Sequence, residues 1–360
     1  MFISRYYYNF KYAFVWHKPQ LTCRLARSVF DVVVRKKQPL RYIDVNVGLA
    51  CNLSCEHCFA ENFKAPDRPP LSNEEWRDVI AQCRDLGATA IGFTGGEPLA
   101  HARLFDLIRY ACPEKMLTVV CTNGTLLTRQ MAVRLKGAGV DVVQISLDSA
   151  IAEEHNRFRA KDGAYDRTVR AFDHALKAGL KAAVVPTVSH FNIHSEGFSN
   201  LIAWAGEKGL LVNLSLAAPV GEWAGNSGCL LTEADMAQLN RLVRATPHVR
   251  RDFESNYWSM GCGAATEKIY ITPYGDIIPC PYMHISFGNV HDLPVAAIRE
   301  KMLANPYLKG YHPKCLTAED RTFIDRYLPR KRLKGQRLPT AEEVFEEKVA
   351  FEEKVWELTP

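Results

Sequence analysis

Residues 42–58 read YIDVNVGLACNLSCEHC, a short apolar strand that runs directly into three cysteines. Three residues separate Cys51 from Cys55, and two separate Cys55 from Cys58. Thiolates at this spacing can hold three corners of a [4Fe–4S] cube and leave the fourth iron without a protein ligand. An open iron of this kind binds a small molecule. The stretch therefore predicts a strand followed by an iron–sulfur site with one position free for a ligand.

The same thiols could instead hold a structural zinc ion. Zinc takes four closed ligands, so His57 or Cys83 would have to join the three cysteines. The chain contains eleven cysteines. Its first twenty residues are rich in aromatic side chains but are interrupted by charges, so they lack the continuous apolar region of a signal peptide. In a reducing compartment this cysteine content favours metal ligation and buried thiols over disulfides. We therefore expect a cytoplasmic metalloprotein. The cysteine spacing alone does not decide between an iron–sulfur cluster and a zinc ion.

Beyond this stretch, short β-branched runs alternate with segments of helical period. Strands are predicted at Tyr42–Val47, Ala90–Thr94, Met116–Thr122, Val140–Leu147, Lys181–Val188 and Leu211–Ala218. Helices are predicted at Asn73–Leu86, Leu104–Ala111, Arg129–Lys136, Tyr165–Ala178, Gly197–Lys208 and Thr232–Arg244. Six such units predict an α/β fold, a partial (β/α)6 TIM-like barrel, with its chemistry at the carboxyl ends of the strands.

Four motifs at successive strand ends resemble those of the radical S-adenosylmethionine (radical SAM) superfamily. They are Cys51-Asn-Leu-Ser-Cys55-Glu-His57-Cys58, Gly95-Gly96-Glu97-Pro98, Thr122-Asn123-Gly-Thr-Leu-Leu127 and Ser146-Leu-Asp148-Ser149. The resemblance implies an enzyme that reductively cleaves S-adenosylmethionine (SAM). The 5′-deoxyadenosyl radical so formed would abstract hydrogen from an unactivated C–H bond of a substrate.

The resemblance also implies which residues bind SAM. Gly95, Gly96 and Glu97 would hold the methionyl amino group, because glycines let backbone approach a ligand and a carboxylate pairs with an ammonium. His57 would contact the adenine, and Arg159 would pair with the methionyl carboxylate. The residues expected to line the adenosine are Thr122, Asn123, Ser146 and Asp148.

A second cysteine set follows the barrel, with Cys262, Cys280 and Cys315 around a hairpin whose turn reads Pro-Tyr-Gly-Asp. This pattern resembles the SPASM and twitch extensions, which carry auxiliary iron–sulfur clusters. A small module poor in aliphatic core is stabilised by such a metal clip. The resemblance implies one auxiliary cluster of the [4Fe–4S] type, against the alternatives of a structural zinc or unligated thiols. Candidates for its fourth ligand are Cys229, His284 and His312.

Four regions are predicted along the chain. They are an aromatic and basic segment at 1–40, the barrel at 41–246, the auxiliary module at 247–325, and a basic linker with a terminal amphipathic helix at 326–360. A capping box from Thr340 to Glu343 begins that helix, whose apolar residues run from Val344 to Trp356. The first segment could contact a membrane surface, form a lid or dimer contact, or pack under the barrel.

The predicted substrate is a small molecule of the sugar, aminocyclitol or tetrapyrrole type. It would be oxidised with help from the auxiliary cluster, or epimerised with Cys121 or Cys229 as hydrogen-atom donor. A peptide-modifying maturase is the alternative, and a non-catalytic metal-binding interaction module is the rival of another class. A flavodoxin or ferredoxin would supply electrons. The net charge of +5 is too mild for a nucleic-acid partner.

Overall fold

A computed structural model describes residues 8, 11–12, 15, 17–65, 67–252, 261–333 and 335–345. Within them the strands are β1 (Tyr42–Asn46), β2 (Ala90–Thr94), β3 (Leu117–Thr122), β4 (Val142–Ile145), β5 (Lys181–Val184), β6 (Thr187–Val188), β7 (Leu211–Leu216), β8 (Val249–Arg251), β9 (Lys268–Ile271) and β10 (Ile277–Ile278). The helices are α1 (Pro19–Val33), α2 (Asn73–Asp85), α3 (Leu104–Tyr110), α4 (Arg129–Gly137), α5 (Ala152–Phe158), α6 (Ala164–Lys177), α7 (Glu196–Glu207), α8 (Glu233–Ala245), α9 (Val295–Ala304) and α10 (Arg321–Tyr327).

One curled sheet contains all these strands, in the order β10-β9-β1-β2-β3-β4-β5-β7-β6, with β8 beside β7. Neighbours from β1 to β5 pair in parallel, as do β5 and β7. The α/β class and the partial barrel are therefore confirmed. The predicted fifth strand is split into β5 and β6 at Pro186, a residue with no backbone N–H to donate. A capping box formed by Ser72 and Glu75 begins α2.

Several elements were not predicted from the sequence: α1, α5, β8, α9 and α10. The helices α5 and α10 span seven residues each, too few to display a helical period. In α9 the buried side chains Val295, Ile298 and Met302 have helical spacing. The small and charged residues between them obscure this pattern in the sequence.

The hairpin β9–β10 lies on the barrel sheet itself. Strand β9 pairs in parallel with β1, Tyr42 opposite Lys268 and Val45 opposite Ile271. The auxiliary module is thus continuous with the first barrel strand. The four region boundaries given above remain predictions.

The chain ends are described only in part. Tyr12 is buried, and its hydroxyl donates to Ala182 O at 2.5 Å and accepts from Leu211 N at 3.2 Å. This favours packing against the barrel for that part of the first segment, while most of residues 1–16 lie outside the described residues. Residues 341–345 are helical after the Thr340–Glu343 capping box, and the rest of the predicted terminal helix lies outside the described residues. No helix in the described ranges is long and apolar enough to cross a bilayer.

Candidate active site

The first cysteine set lies on the loop after β1. Cys51 is exposed, while Cys55 and Cys58 are partly buried. Burial, with contributions from Cys55 and Cys51, raises the pKa of Cys58 to about 12. Burial and then Cys55 raise the pKa of Cys51. The three thiols therefore lie near one another after β1, and their role as cluster ligands remains a prediction.

The loop after β2 braces the cysteine loop through backbone contacts. Gly96 N donates to Gly48 O at 2.8 Å, and Glu97 N donates to Ala50 O at 2.9 Å. A Cβ placed on Gly96 would lie 2.4 Å from Ala50 O, and one on Gly95 would lie 2.4 Å from Gly48 O. Both glycines are required by this close approach of two backbones. Their contact with SAM remains a prediction.

The Glu97 carboxylate is fully buried and already occupied by protein donors. It accepts from Thr122 Oγ1 at 2.7 Å, from Asn123 N at 2.8 Å and from Leu99 N at 3.0 Å. The side chain therefore ties the β2 loop to the end of β3. A methionyl ammonium would meet backbone carbonyls here more readily than this carboxylate.

Asn123 links the end of β3 to the cysteine loop. Its Nδ2 donates to Asn52 Oδ1 at 2.9 Å, and its Oδ1 accepts from Thr125 N at 2.9 Å. Asn52 in turn donates to Thr125 Oγ1 at 2.8 Å. Ser146, half-buried at the end of β4, donates its N–H to Thr122 O at 3.0 Å. The backbone of Ser146 thus lies beside Thr122, at the strand end that also carries Asn123.

Arg159 and Asp148 form a buried bidentate pair beside the cysteines. Nε and Nη2 of Arg159 donate to the two carboxylate oxygens of Asp148 at 2.7 and 3.0 Å. The third nitrogen, Nη1, lies 3.8 Å from Cys55 Sγ. Burial alone would raise the pKa of Asp148, but Arg159 and His155 hold it well below its usual range. Arg159 therefore presents a permanent cation to a cysteine thiolate, a partner the sequence did not predict.

His57 lies in a group of rings at the barrel mouth that we call the aromatic wall: His57, Phe158, Phe191 and Trp223. The His57 ring stacks on Phe158 with centroids 4.3 Å apart, and Trp223 lies 5.7 Å away. Its buried Nδ1 has no hydrogen-bond partner among the residues that the structure describes. Burial lowers the pKa of His57 to about 3, so the ring is neutral and free to accept a bond from a ligand.

The sequence analysis missed a brace from the loop after β7. Glu222 N donates to Cys58 O at 3.0 Å. Gly221 has a φ of +63°, and a Cβ there would lie 2.1 Å from Cys58 O. The sequence pattern that could have predicted this contact is the Val220-Gly-Glu-Trp223 turn, which follows a strand. Only glycine allows this loop to close over the third cysteine.

The second cysteine set is more deeply buried, Cys262 being 8% exposed and Cys280 6%. Burial, with a contribution from Cys262, raises the pKa of Cys280 to about 12 and that of Cys315 to about 11. Cys262 and His312 exchange two backbone hydrogen bonds of 2.8 and 3.0 Å. This pairing brings the chain back to Cys262 three residues before Cys315. The three cysteines therefore lie near one another, and their role as ligands of one cluster remains a prediction.

The candidate fourth ligands are engaged elsewhere. Both ring nitrogens of His284 are bonded, one to Asn62 Nδ2 and the other to Pro281 O, each at 3.0 Å. His312 Nδ1 contacts Lys314 O at 2.8 Å, and its Nε2 lies 3.6 Å from Asp320 Oδ2. Cys229 is fully buried in the apolar core. The identity of a fourth ligand therefore remains unassigned.

The donors that both sets offer are cysteine sulfurs, the soft ligands that hold iron–sulfur clusters. The thiols of each set raise one another's pKa, so they lie near one another. Within the described ranges no three His, Cys, Asp or Glu side chains are placed as ligands of a single ion.

One face of β9 runs between the two sets. Lys268 interacts with Cys262 and Cys280, while Tyr270, two residues on, interacts with Cys58. Residues two apart on a strand share a face. Lys268 also pairs with Asp252 at 2.6 Å. One strand, β9, therefore lies beside both cysteine sets.

The two candidate thiol donors differ in access. Cys121, on β3, is half-buried and its Sγ donates to Gln144 Oε1 at 3.4 Å. Burial and then Asp44 raise its pKa well above the usual range, which keeps the sulfur protonated. Cys229 is fully buried, and burial raises its pKa to about 11. Only Cys121 combines a retained proton with partial access.

Two family matches cover these two sets. Residues 45–202 match the radical SAM superfamily, and residues 262–317 match SPASM, an iron–sulfur cluster-binding domain. The chain belongs to the radical SAM superfamily and is a radical SAM enzyme with a SPASM-type module. Its cofactors are SAM, the [4Fe–4S] cluster of the radical SAM domain and an auxiliary iron–sulfur cluster. The family match sets aside the non-catalytic alternative.

Three relatives with stated activities align with between 41% and 71% of the chain. An AdoMet-dependent heme synthase of Nitratidesulfovibrio vulgaris is 29% identical over 285 residues, 71% of this chain and 77% of the relative. An Fe-coproporphyrin III synthase of Methanosarcina barkeri is 36% identical over 148 residues, 41% of this chain and 37% of the relative. The mycofactocin maturase MftC of Mycolicibacterium smegmatis is 28% identical, covering 67% of this chain and 65% of the relative.

The fold is also found in solved structures. SuiB of Streptococcus suis bound to S-adenosylmethionine superposes with a TM-score of 0.59 at 17% identity, covering 81% of this chain and 77% of that one. At this identity the likeness concerns the fold.

Proposed function

We propose that this enzyme oxidises a tetrapyrrole-type small molecule at an unactivated C–H bond. The observation that carries the reaction type is that one strand, β9, lies beside both cysteine sets, with Lys268 near the second and Tyr270 near the first. A substrate bound next to this strand would border both clusters. Loss of a hydrogen atom at one side and of an electron at the other is a two-electron oxidation.

The substrate class draws on the relatives and on the charges beside this strand. The match to the heme synthase from Nitratidesulfovibrio covers 71% of this chain and 77% of the relative. Coproporphyrins are polycarboxylates, and Lys268 places a cation beside the auxiliary set. Tyr282 and Ser215, joined by a 2.6 Å hydrogen bond, add hydroxyls nearby. Such groups bind and orient a carboxylate.

The residues of this chain have separate tasks in the proposal. Cys51, Cys55 and Cys58 hold the first cluster, and Cys262, Cys280 and Cys315 hold the second. When bound, the first cluster and SAM supply the hydrogen-abstracting radical. Arg159 stabilises the Cys55 thiolate, and Glu97 and Asn123 fix the loops around the SAM site through the bonds described above. A flavodoxin- or ferredoxin-type protein is the proposed reductant.

A peptide substrate is the second candidate. It is favoured by the 28% identity to the mycofactocin maturase over 67% of this chain. The exposed aromatic ring of Phe191 at the barrel mouth would suit a peptide side chain as well as a macrocycle.

The test is an anaerobic assay with the reconstituted enzyme, SAM, dithionite and Fe-coproporphyrin III. Mass spectrometry should detect an oxidised tetrapyrrole together with 5′-deoxyadenosine. The matched control is the C121A variant, which keeps both cysteine sets and should keep an oxidative reaction. Cofactor cleavage without any change in Fe-coproporphyrin III would rule out this substrate. Return of a hydrogen atom by Cys121 gives no net oxidation, so a wild-type product of unchanged mass that C121A no longer forms would favour the thiol-donor pathway.

A further inference from the structure

A second side-chain cluster lies at the barrel mouth, outside both cysteine sets. His190 and His194 follow β6, and Asp235 lies in the first turn of α8. His190 Nδ1 lies 2.7 Å from one carboxylate oxygen of Asp235, and His194 Nε2 lies 2.7 Å from the other. Asp235 also accepts from Thr232 N at 2.9 Å. One buried carboxylate therefore orients two imidazoles.

The bonding fixes which ring nitrogens are available. Burial would raise the pKa of Asp235, but Thr232 and the two histidines hold it well below its usual range, so the group is an acceptor. Each histidine must then donate the nitrogen that faces it. This leaves Nε2 of His190 and Nδ1 of His194 without a proton when the rings are neutral. Their side chains are 48% and 55% exposed, against 2% for Asp235.

A histidine held in this way is built to ligate a metal. Metal-binding imidazoles commonly donate their other N–H to a carboxylate, which fixes the ring and raises the basicity of the free nitrogen. A bare metal ion requires three or more protein ligands, and the described residues contain no such group. Iron inside a tetrapyrrole needs only one axial protein ligand, because the macrocycle fills four positions.

The surroundings suit a flat aromatic ligand. Phe191, next to His190, is 58% exposed, and its ring lies 6.0 Å from Trp223. Trp223 contacts His57 of the cysteine motif at 5.7 Å. His190 N also donates to Cys229 O at 3.1 Å, which anchors the loop. A macrocycle bound here would extend along the aromatic wall towards the first cysteine set.

We propose that Nε2 of His190 is an axial ligand to the iron of a tetrapyrrole substrate, with Asp235 as the positioning carboxylate. The imidazole lone pair forms the Fe–N bond, and no other bond changes. Nε2 is the nitrogen farther from the backbone, so His190 is better placed than His194 to reach the iron. This inference rests on the proposed function and names the group that holds its substrate.

The test is binding of Fe-coproporphyrin III to the full chain with reconstituted clusters, read as a difference spectrum in the Soret region. Wild type should show a shift typical of imidazole ligation. H190A should bind about tenfold to a hundredfold more weakly, the range that loss of a partner costs at metal sites, and should lack the shift. H190G should regain it when free imidazole is added. Metal-free coproporphyrin III should bind wild type and H190A equally.

The matched control is H291A. His291 is also half-exposed and also pairs with a carboxylate, Glu75 Oε1 at 2.7 Å, but it lies outside the aromatic wall. H291A should behave as wild type. Equal affinity and an equal Soret position in wild type and H190A would overturn the axial-ligand proposal, even if the substrate is still turned over. Failure of wild type to bind or oxidise either porphyrin would instead overturn the proposed function.

Discussion

The two cysteine sets are built in opposite ways. Cys51 is exposed on a loop that neighbouring loops brace by backbone contacts, whereas Cys262 and Cys280 are buried in the main apolar core. An open setting allows a small ligand to enter and leave the first site at every turnover. A buried setting retains its metal and excludes water. The difference indicates ligand exchange at the first site and electron storage at the second.

Replacement of the first set should have the largest effect. The triple variant C51A/C55A/C58A removes the ligands of the open cluster, so reductive cleavage of SAM should fall to background. The auxiliary iron should remain, since the second set is buried separately. Production of 5′-deoxyadenosine at the wild-type rate would contradict the assignment of these three residues.

The reciprocal triple variant, C262A/C280A/C315A, should separate product formation from cofactor cleavage. Roughly half of the iron should be lost, some 5′-deoxyadenosine should still form, and the oxidised product should disappear. Iron analysis and mass spectrometry measure both. Because Cys262 and Cys280 lie in the core, a circular dichroism melt must show that the barrel is still folded. Unchanged iron, or zinc in its place, would show that the module has only a structural role.

Variants of the Arg159–Asp148 pair test how much this ion pair stabilises the fold around the first cysteine set. R159M leaves the Asp148 carboxylate buried without its cation, so the free energy of unfolding of the cluster-free chain should fall by about 3–5 kcal/mol. The double variant R159M/D148L should recover most of that loss, because removal of both charges abolishes the unpaired one. Urea denaturation provides the comparison. Equal stability of the single variant and wild type would mean that the pair is not buried in solution.

The smallest expected effect concerns the contact between Gly221 and Cys58 O, which holds the loop after β7 against the first cysteine set. In G221A the new Cβ meets Cys58 O at 2.1 Å and the backbone keeps a φ of +63°. Gly209 has the same φ of +63° with no atom within 4 Å of its Cβ position, so G209A carries the backbone strain alone. We expect G221A to lose about 1–3 kcal/mol more stability than G209A and to release iron from the first set. Identical iron retention in the two variants would show that the brace is dispensable.

Local features of the site could be predicted from the sequence. The strand ends, the cysteine spacing and the hairpin around the second set depend on neighbouring residues, and the structure places them as expected. Partners far apart in sequence could not be predicted. Arg159 and Cys55 are 104 residues apart in the sequence, and neither stretch contains a pattern that predicts their contact.

The role of Glu97 shows a second limit. Its motif marked a carboxylate at a strand end, but burial and three protein donors decide what that carboxylate can bind. The histidines at 190 and 194 were missed for a related reason, since Asp235, which orients them, belongs to a separate helix. Assignments of individual ligands to individual residues therefore remain predictions until variants test them.

The pairing of β9 with β1 has a consequence for synthesis on the ribosome. The bonded residues Arg41 and Glu267 that precede these strands are 226 positions apart. At about 5–20 residues per second, the outer edge of β1 remains without its partner for roughly ten seconds or more. An unpaired strand edge is a template for association with other chains. A nascent chain halted before β9 should therefore depend on chaperones, and a chain truncated after the barrel should aggregate rather than yield an isolated catalytic domain.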